Sequence, residues 1–410
     1  MTVHERQKDI LSIISSLDIS PTLYKNAVEK YETITSFLVS CGIEADIYPQ
    51  GSFAFGTVVR PNTKSSSPNY DLDFICQVSG DRDAFTPSEL RKRIECALTS
   101  SNIYGGKLTV YNECFTIEYA DINGVGFTID IVPATAENIE NKNRLIEKSA
   151  SPELIETSIA IPRYNDYRNY DWLTNNPKGF KTWFDKINEP FLIASREAVR
   201  QHIFEENRTV FSSIDEIPSA LERSSLQRVI QILKHHRDIY YAMRSDGESI
   251  KPISAIINAV VAQISQGYRP NCAVFELLDF ILSEFNIYEQ QQRLTPQIFA
   301  QKFENRSVIT RKNGVWWISN PANPEDNLAN KWNSDSNIPI VFFKWIEVVK
   351  HDLVSSLQFE DLSKFRMAIE NGLGNTVVSY VLGEKYCKKI APKPIVSSTA
   401  AKPYRCYDSF

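Results

Sequence analysis

The sequence contains no Cys-x-x-Cys pair, and its five histidines form no cluster with its cysteines. The seven cysteines, Cys41, Cys76, Cys96, Cys114, Cys272, Cys387 and Cys406, are scattered and odd in number, which suggests neither a zinc site nor a disulfide framework. A reducing, cytoplasmic location is the expectation. No apolar run approaches the roughly 18 residues of a membrane-spanning helix, and no N-terminal stretch has the form of a signal peptide. There is also no basic run. Lysine and arginine total 45 against 50 acidic residues, for a net charge of -5 and a pI of 5.7, which argues against a protein that coats long nucleic acid. Small anionic substrates remain open, because local fields rather than net charge hold them. Internal repeats and low-complexity domains are lacking as well.

What is present is an ordinary globular composition, 42% hydrophobic and 23% charged, in a chain of 410 residues. That length exceeds the usual single core and predicts two lobes. Two helices are expected within the first 43 residues, the second opened by Ser20-Pro21. Strands follow at 44 to 49, 69 to 78, 107 to 111, 114 to 120 and 125 to 133, with a helix near 87 to 101 and a hairpin turn at Asn123-Gly124. The stretch 161 to 185 is aromatic and rich in breakers, and reads as an irregular connection across a cleft. Beyond about 186 the pattern is helical at 220 to 244, 252 to 266, 273 to 286, 295 to 304, 338 to 356 and 359 to 383, interrupted by a hairpin-like element at 309 to 318. Residues 388 to 410 read as an extended tail. The expected class is therefore α+β, with a mixed-sheet lobe at 1–160, a mainly helical lobe at 161–387, and a cleft between them.

Three short motifs carry chemistry. In Tyr70-Asp71-Leu72-Asp73-Phe74 the alternation of a strand puts both carboxylates on one face, about 6.6 Å apart along the chain. In Phe127-Thr128-Ile129-Asp130-Ile131, Asp130 and Thr128 share a face and the apolar residues take the other. If the two strands are neighbours, three carboxylates converge, and their repulsion is tolerable only with hard cations such as Mg2+. Gln50-Gly51-Ser52 follows a strand and offers a backbone that approaches a phosphate closely. Taken singly, Asp-x-Asp is an ordinary strand end and Gly-Ser an ordinary turn. Their order, and the apolar runs in which an unpaired Asp is costly, distinguish them.

Further along, Gln227, Gln231, Lys234 and Asp238 form a polar stripe beside the apolar face Leu226, Val229, Ile230, Leu233. From the residues alone, Lys234 is equally a phosphate contact or part of a solvated basic face. Ser254 is either an anion-binding serine near a helix start or a plain first-turn serine. His235 and His236 point about 100° apart on a helix and are not placed to chelate one ion. Tyr164, Tyr167, Tyr170, Trp172 and Trp183 either stack bases or build an inter-lobe core.

The pattern Gly51-Ser52, Asp71-x-Asp73, Asp130 resembles the polymerase-beta-like nucleotidyltransferase superfamily. The fuller run QGSFAFGTVVRP…YDLDFICQV, together with residues 226 to 238, Lys251-Pro252-Ile253-Ser254 and, less specifically, residues 320 to 332, resembles its cGAS/DncV-like branch, the CD-NTases. The resemblance covers roughly residues 1 to 385. It implies two Mg2+ or Mn2+ ions, with Asp71 and Asp73 bridging both and Asp130 serving the ion nearest the acceptor. It implies that Gln50, Gly51, Ser52, Lys234 and Ser254 bind nucleotide. It also implies synthesis of cyclic di- or trinucleotide second messengers from NTPs, adenine-containing and with ATP among the substrates, in bacterial anti-phage signalling. The C-terminal tail is then a handle for a regulatory or ligating partner protein. Two departures stand out: the zinc-binding insertion of animal cGAS is absent, and Ala255 occupies the position after Ser254 where an aromatic is common. The alternatives are a nucleotidyltransferase acting on an RNA 3′ end, linear oligoadenylate or a protein, and a catalytically silent nucleotide sensor, which the retention of all three carboxylates disfavours.

Overall fold

The computed structural model describes residues 2 to 387 apart from 61–68, 123–124, 149–150, 166–168, 290–294, 296–297 and 299–307. The Asn123-Gly124 turn, most of the helix expected at 295 to 304 and the tail at 388 to 410 lie outside the described residues. The architecture is α+β, as expected.

Helix α1 (Val3–Ser15) is closed by a capping box between Thr2 and Glu5, and α2 (Pro21–Ser40) by Ser20, whose hydroxyl accepts from the Leu23 amide. Strand β1 (Ala45–Pro49) leads into the single turn α3 (Gly51–Ala54). Then come β2 (Asn69–Asp81), α4 (Pro87–Thr99), β3 (Leu108–Val110), β4 (Phe115–Ile122) and β5 (Val125–Ala136). The sheet runs in the order β1-β2-β5-β4-β3. The β2/β5 pair is parallel, while the β1/β2, β4/β5 and β3/β4 pairs are antiparallel.

The irregular connection expected at 161 to 185 is instead regular. After the short helices α5 (Ile139–Glu147) and α6 (Pro152–Ile155), strands β6 (Ile159–Tyr164) and β7 (Tyr170–Asn175) form an antiparallel ribbon that extends the sheet from the end of β5. Pro162 is tolerated because it faces Trp172 between the bonded pairs of the β6/β7 ladder, which leaves its nitrogen on the side where β5 reaches only Ala160 and Ile159. Asn176-Pro177, part of the stretch read as rich in breakers, forms a helix start. The Asn176 side chain accepts from the Gly179 amide, and Pro177 opens α7 (Pro177–Glu206), about 45 Å long at 1.5 Å per residue.

The remaining chain is mainly helical: α8 (Ser225–Ala242), α9 (Gly247–Ile250), α10 (Ser254–Ser265), α11 (Val274–Glu289), α12 (Asn330–Ser334), α13 (Asn337–Val349), α14 (Leu362–Leu373) and α15 (Asn375–Leu382). Gly374, at φ +87°, breaks the helix expected at 359 to 383 into α14 and α15. The expected hairpin is β8 (Ile309–Lys312) and β9 (Val315–Asn320), turned by Asn313-Gly314 with both φ positive, and β10 (Asn323–Asn327) adds a third strand.

Two large apolar cores result. One lies under the sheet and is built on Leu72, Phe74, Phe115, Ile117, Phe127, Ile129 and Ile131. The other lies among the later helices. The chain crosses between them repeatedly. Helix α1 puts Ile10, Ile13 and Ile14 into the helical core, although it precedes the sheet. Helix α7 gives Phe184 and Phe191 to the helical core, and Ile203 and Phe204 near its other end pack on the sheet core, together with Phe211, Ile217 and Leu221 beyond it.

Arg6 anchors α1 to its distant partners. Its guanidinium, 6% exposed, donates to the carbonyls of Leu357 and Phe359 at 2.8 Å each and lies over the Phe365 ring. Replacing Arg6 with alanine leaves those carbonyls without the donor, and we expect a loss of about 1–3 kcal/mol, read as a lower Tm and faster proteolysis of residues 2 to 16. An unchanged Tm would show that the apolar face alone docks the helix.

Candidate active site

The parallel register of β2 and β5 sets Asp71 opposite Thr128 and Asp73 opposite Asp130. Partnered residues of adjacent strands share a face, so all three carboxylates emerge on the side of the sheet away from the apolar core. An oxygen from each lies within 4.8 Å of the other two, and among the described residues this is the one group of three or more metal-type side chains so arranged. On β4, Thr116 stands opposite Asp130 and donates its hydroxyl to Asp130 Oδ1, while Thr128 donates to Asp71 Oδ1 at 3.2 Å. Thr116 was not legible from its own segment, because only the β4/β5 register brings it to the site.

Burial is the first reason that Asp73 is pushed up to about 7 from an ordinary 3.8, and the charges of Asp71 and Asp130 follow, with Lys234 pulling the other way. Asp130 is also raised, by burial, with the Thr116 hydrogen bond opposing. Three hard oxygen donors at this spacing, one of them with its pKa raised by burial and by the neighbouring carboxylates, fit a divalent cation.

The loop after β1 closes on these groups. The Gln50 amide donates to the Asp73 carbonyl at 2.8 Å. Gly51 has φ +59°, and a Cβ there would lie 2.7 Å from Asp73 Oδ2. Glycine is therefore required on two grounds. Ser52 follows in the first turn of α3, where amide groups have no acceptor within the helix. Its carbonyl accepts from the Thr57 amide at 2.9 Å, which folds the loop back on itself.

Lys234 is neither solvated nor free. It is 6% exposed, and its Nζ donates to the Thr57 carbonyl at 3.0 Å, directly behind the Gly51-Ser52 turn. Burial and then Arg237 push its ammonium down to about 7, against the pull of Asp238 and Asp73. Ser254 opens α10 and accepts from Arg237 Nη1 at 3.1 Å, while Arg237 also holds the Pro252 carbonyl and Asp238. His235 bonds the Leu373 carbonyl, and His236 Nδ1 accepts from the Trp345 indole, so the two rings do serve separate partners. Trp172 packs on the sheet core and Trp183 on the helical core, while Tyr164 and Tyr170 pair edge to face. Tyr167 lies outside the described residues.

No family model matches the chain. A curated c-di-GMP synthase of Roseivirga ehrenbergii is 24% identical over 328 residues, which span 79% of this chain and 72% of that protein. Among solved structures, the Bradyrhizobium diazoefficiens CD-NTase CdnG in complex with GTP aligns with a TM-score of 0.66 at 18% identity, covering 92% of this chain and 98% of that one. A chain in the Escherichia coli MS115-1 CdnC:HORMA-deltaN complex aligns at 0.55 and 15% identity, covering 90% and 97%. The fold is that of the polymerase-beta-like nucleotidyltransferases. Within them it is the fold of the cGAS/DncV-like branch, which the motifs themselves resemble.

The proton on Asp73 sets a pH dependence whose sign is fixed. Between about pH 4 and 7 the folded chain keeps a proton there that the unfolded chain has lost, so without divalent cation this site lowers stability as pH rises through that window. We expect Asp73→Asn to flatten that part of the metal-free Tm profile and to raise Tm at pH 7.5. An identical slope in wild type and variant would place the proton elsewhere. Gly51→Ala forces a side chain into the left-handed region and against Asp73, a strain of roughly 1–2 kcal/mol, and we expect it to lower Tm correspondingly.

Proposed function

We propose that this protein joins nucleoside triphosphates into a cyclic oligonucleotide of two or three nucleotides, releasing pyrophosphate at each step. The observation that carries the reading is the convergence of the Asp71, Asp73 and Asp130 oxygens within 4.8 Å, with the Gly51 backbone pressed against Asp73. In each transfer an acceptor hydroxyl attacks the α-phosphate. The new O–P bond forms, the bond between the α-phosphorus and the bridging oxygen breaks so that pyrophosphate carries that electron pair away, and the hydroxyl proton passes by way of Asp130 to solvent. Two divalent cations, Mg2+ or Mn2+, held by the three carboxylates would lower the pKa of that hydroxyl and stabilise the leaving oxygens. Asp130 orients the hydroxyl, with its own rotamer fixed by Thr116. Gly51 and Ser52 receive the β- and γ-phosphates, with Gln50 fixing the loop to β2.

Lys234 approaches the triphosphate from the helical lobe, and Ser254 contributes a hydroxyl at the start of α10. A guanine nucleotide is proposed as at least one substrate, because one relative is named a c-di-GMP synthase and another was solved with GTP. ATP remains the partner that the overall likeness suggests. The biological setting proposed is bacterial anti-phage signalling in the cytoplasm, and the 388–410 tail is proposed as the attachment point for a partner protein. Among the described residues no helix is long and apolar enough to cross a membrane.

Incubation with all four NTPs and Mg2+ or Mn2+, followed by mass spectrometry, tests the reading. The expected product is a phosphatase-resistant di- or trinucleotide made without primer or DNA, and its bases are read from the mass. Phosphatase-sensitive ladders, or activity that appears only on adding RNA or a protein acceptor, overturn it. Asp71→Asn and Asp73→Asn should each lower pyrophosphate release by about a hundredfold or more, since each removes a charge that the cations require. Lys234→Ala should raise the NTP requirement more than Ser254→Ala, because a charge-assisted contact is worth roughly 1.5–3 kcal/mol against about 1 for a neutral one.

A further inference from the structure

The polar stripe of α8 does something that its sequence does not announce. Three residues at i, i+4 and i+7 reach across to three carbonyls of the segment that follows the phosphate loop. Gln227 Nε2 donates to the Phe55 carbonyl at 2.8 Å, Gln231 Nε2 to Val58 at 2.8 Å, and Lys234 Nζ to Thr57 at 3.0 Å. Both glutamines are buried, Gln231 at 0% exposure. The approach is close enough that a Cβ on Gly56, which has φ +62°, would lie 2.5 Å from Gln227 Nε2.

Each glutamine is tied at its other atom as well. Gln227 Oε1 accepts from the Ser224 amide in the capping box of α8, and Gln231 Oε1 accepts from Arg228, whose guanidinium pairs with Asp18 at 2.7 Å. Gln231 also donates to Asp18 Oδ1 at 2.7 Å, and the Asp18 carbonyl accepts from the hydroxyl of Tyr70, the residue before Asp71. One polar seam therefore joins α8, the α1–α2 connection, the segment after Gly51-Ser52 and the start of the strand that bears Asp71 and Asp73.

We propose that Gln227 and Gln231 are positioning residues for nucleotidyl transfer: from the helical lobe they set the phosphate loop against the carboxylates. This rests on the transfer reading above. The amides of Phe55, Gly56 and Thr57 are spent within the loop, on the carbonyls of Gly51, Phe53 and Ser52, so the Phe55, Thr57 and Val58 carbonyls take their donors from α8, and the buried glutamine amides supply neutral donors that add no charge. The chemistry distinguishes this role from helix capping. Glutamate at 227 satisfies the capping box as well as glutamine does, but it has no N–H for the Phe55 carbonyl.

The test uses the full chain with Gln227→Glu and, as a neutral second variant, Gln231→Met, each measured in three ways: Tm, amide hydrogen exchange of residues 50 to 60, and steady-state KM and kcat for NTP. The expected result is exchange at 50 to 60 faster by about fivefold or more, exchange in α10 and α14 unchanged, and KM raised about fivefold with a smaller change in kcat. If Gln227→Glu does not fold, Gln231→Met decides alone. Unchanged exchange in the 50 to 60 segment overturns the positioning role, and so does a uniform rise across the molecule with KM unaltered, which is the mark of a purely structural side chain. Faster local exchange with unaltered KM overturns its link to catalysis. A wild-type chain that releases no pyrophosphate overturns the transfer reading instead, and the exchange measurement still decides whether the seam holds the loop.

Discussion

Three carboxylates on neighbouring positions of one sheet face repel one another by several kcal/mol at the effective dielectric of a partly buried site, and the rest of the sheet lobe is arranged around that repulsion. The other face of the same strands supplies the opposing force. Leu72, Phe74, Ile117 and Ile129 are all fully buried, and each such side chain contributes about 1.5–3 kcal/mol relative to exposure. Alternation makes the two faces inseparable, because every residue added between Asp71 and Asp73 or beside Asp130 on the far side is a core residue. A parallel pairing is what brings Asp73 level with Asp130, and a slip of one residue would send the carboxylates into the core. The raised pKa of Asp73 records its burial first and the repulsion from Asp71 and Asp130 second.

The carboxylate pair on β2 was legible because a two-residue period needs only its own segment. Convergence with Asp130 was conditional on strand adjacency, and adjacency is a tertiary fact. The same limit explains Thr116, which looks like any strand threonine until β4 is laid beside β5. The stripe on α8 could be read as polar, with an inward and a solvated orientation equally open, but its partners could not, since Lys234 and the Thr57 carbonyl are 177 residues apart. The ribbon β6–β7 was obscured by breakers that mark its ends and by a proline at a position where the ladder makes no demand on it. Capping residues were the most reliable local signals. Ser20-Pro21 stands where expected, and Asn176-Pro177 is the same device overlooked in a stretch read as connection.

Charge is distributed against the overall composition. The chain is acidic, yet α8 turns Lys234, Arg237 and Arg228 inward, each buried or nearly so and each bound to protein acceptors. Lys234 offsets the charge at Asp73, whereas Arg237 and Arg228 pair with Asp238 and Asp18, and the hydrogen bonds of all three fix loops and helix starts. Structure and electrostatics are thus carried by the same side chains, which is economical but leaves few positions on that helix open to substitution.

The interleaving of the two cores bears on how such a molecule can be divided or recombined. A cut near residue 160 would strip the sheet core of Phe211, Ile217 and Leu221, and the helical core of Ile10, Ile13 and Ile14. Neither fragment would carry its own complete interior. An exchange of one lobe for that of a distant cousin would have to transplant several separated segments together, along with the long helix that serves both. Each lobe's interior is thus completed by chain that belongs, in sequence, to the other.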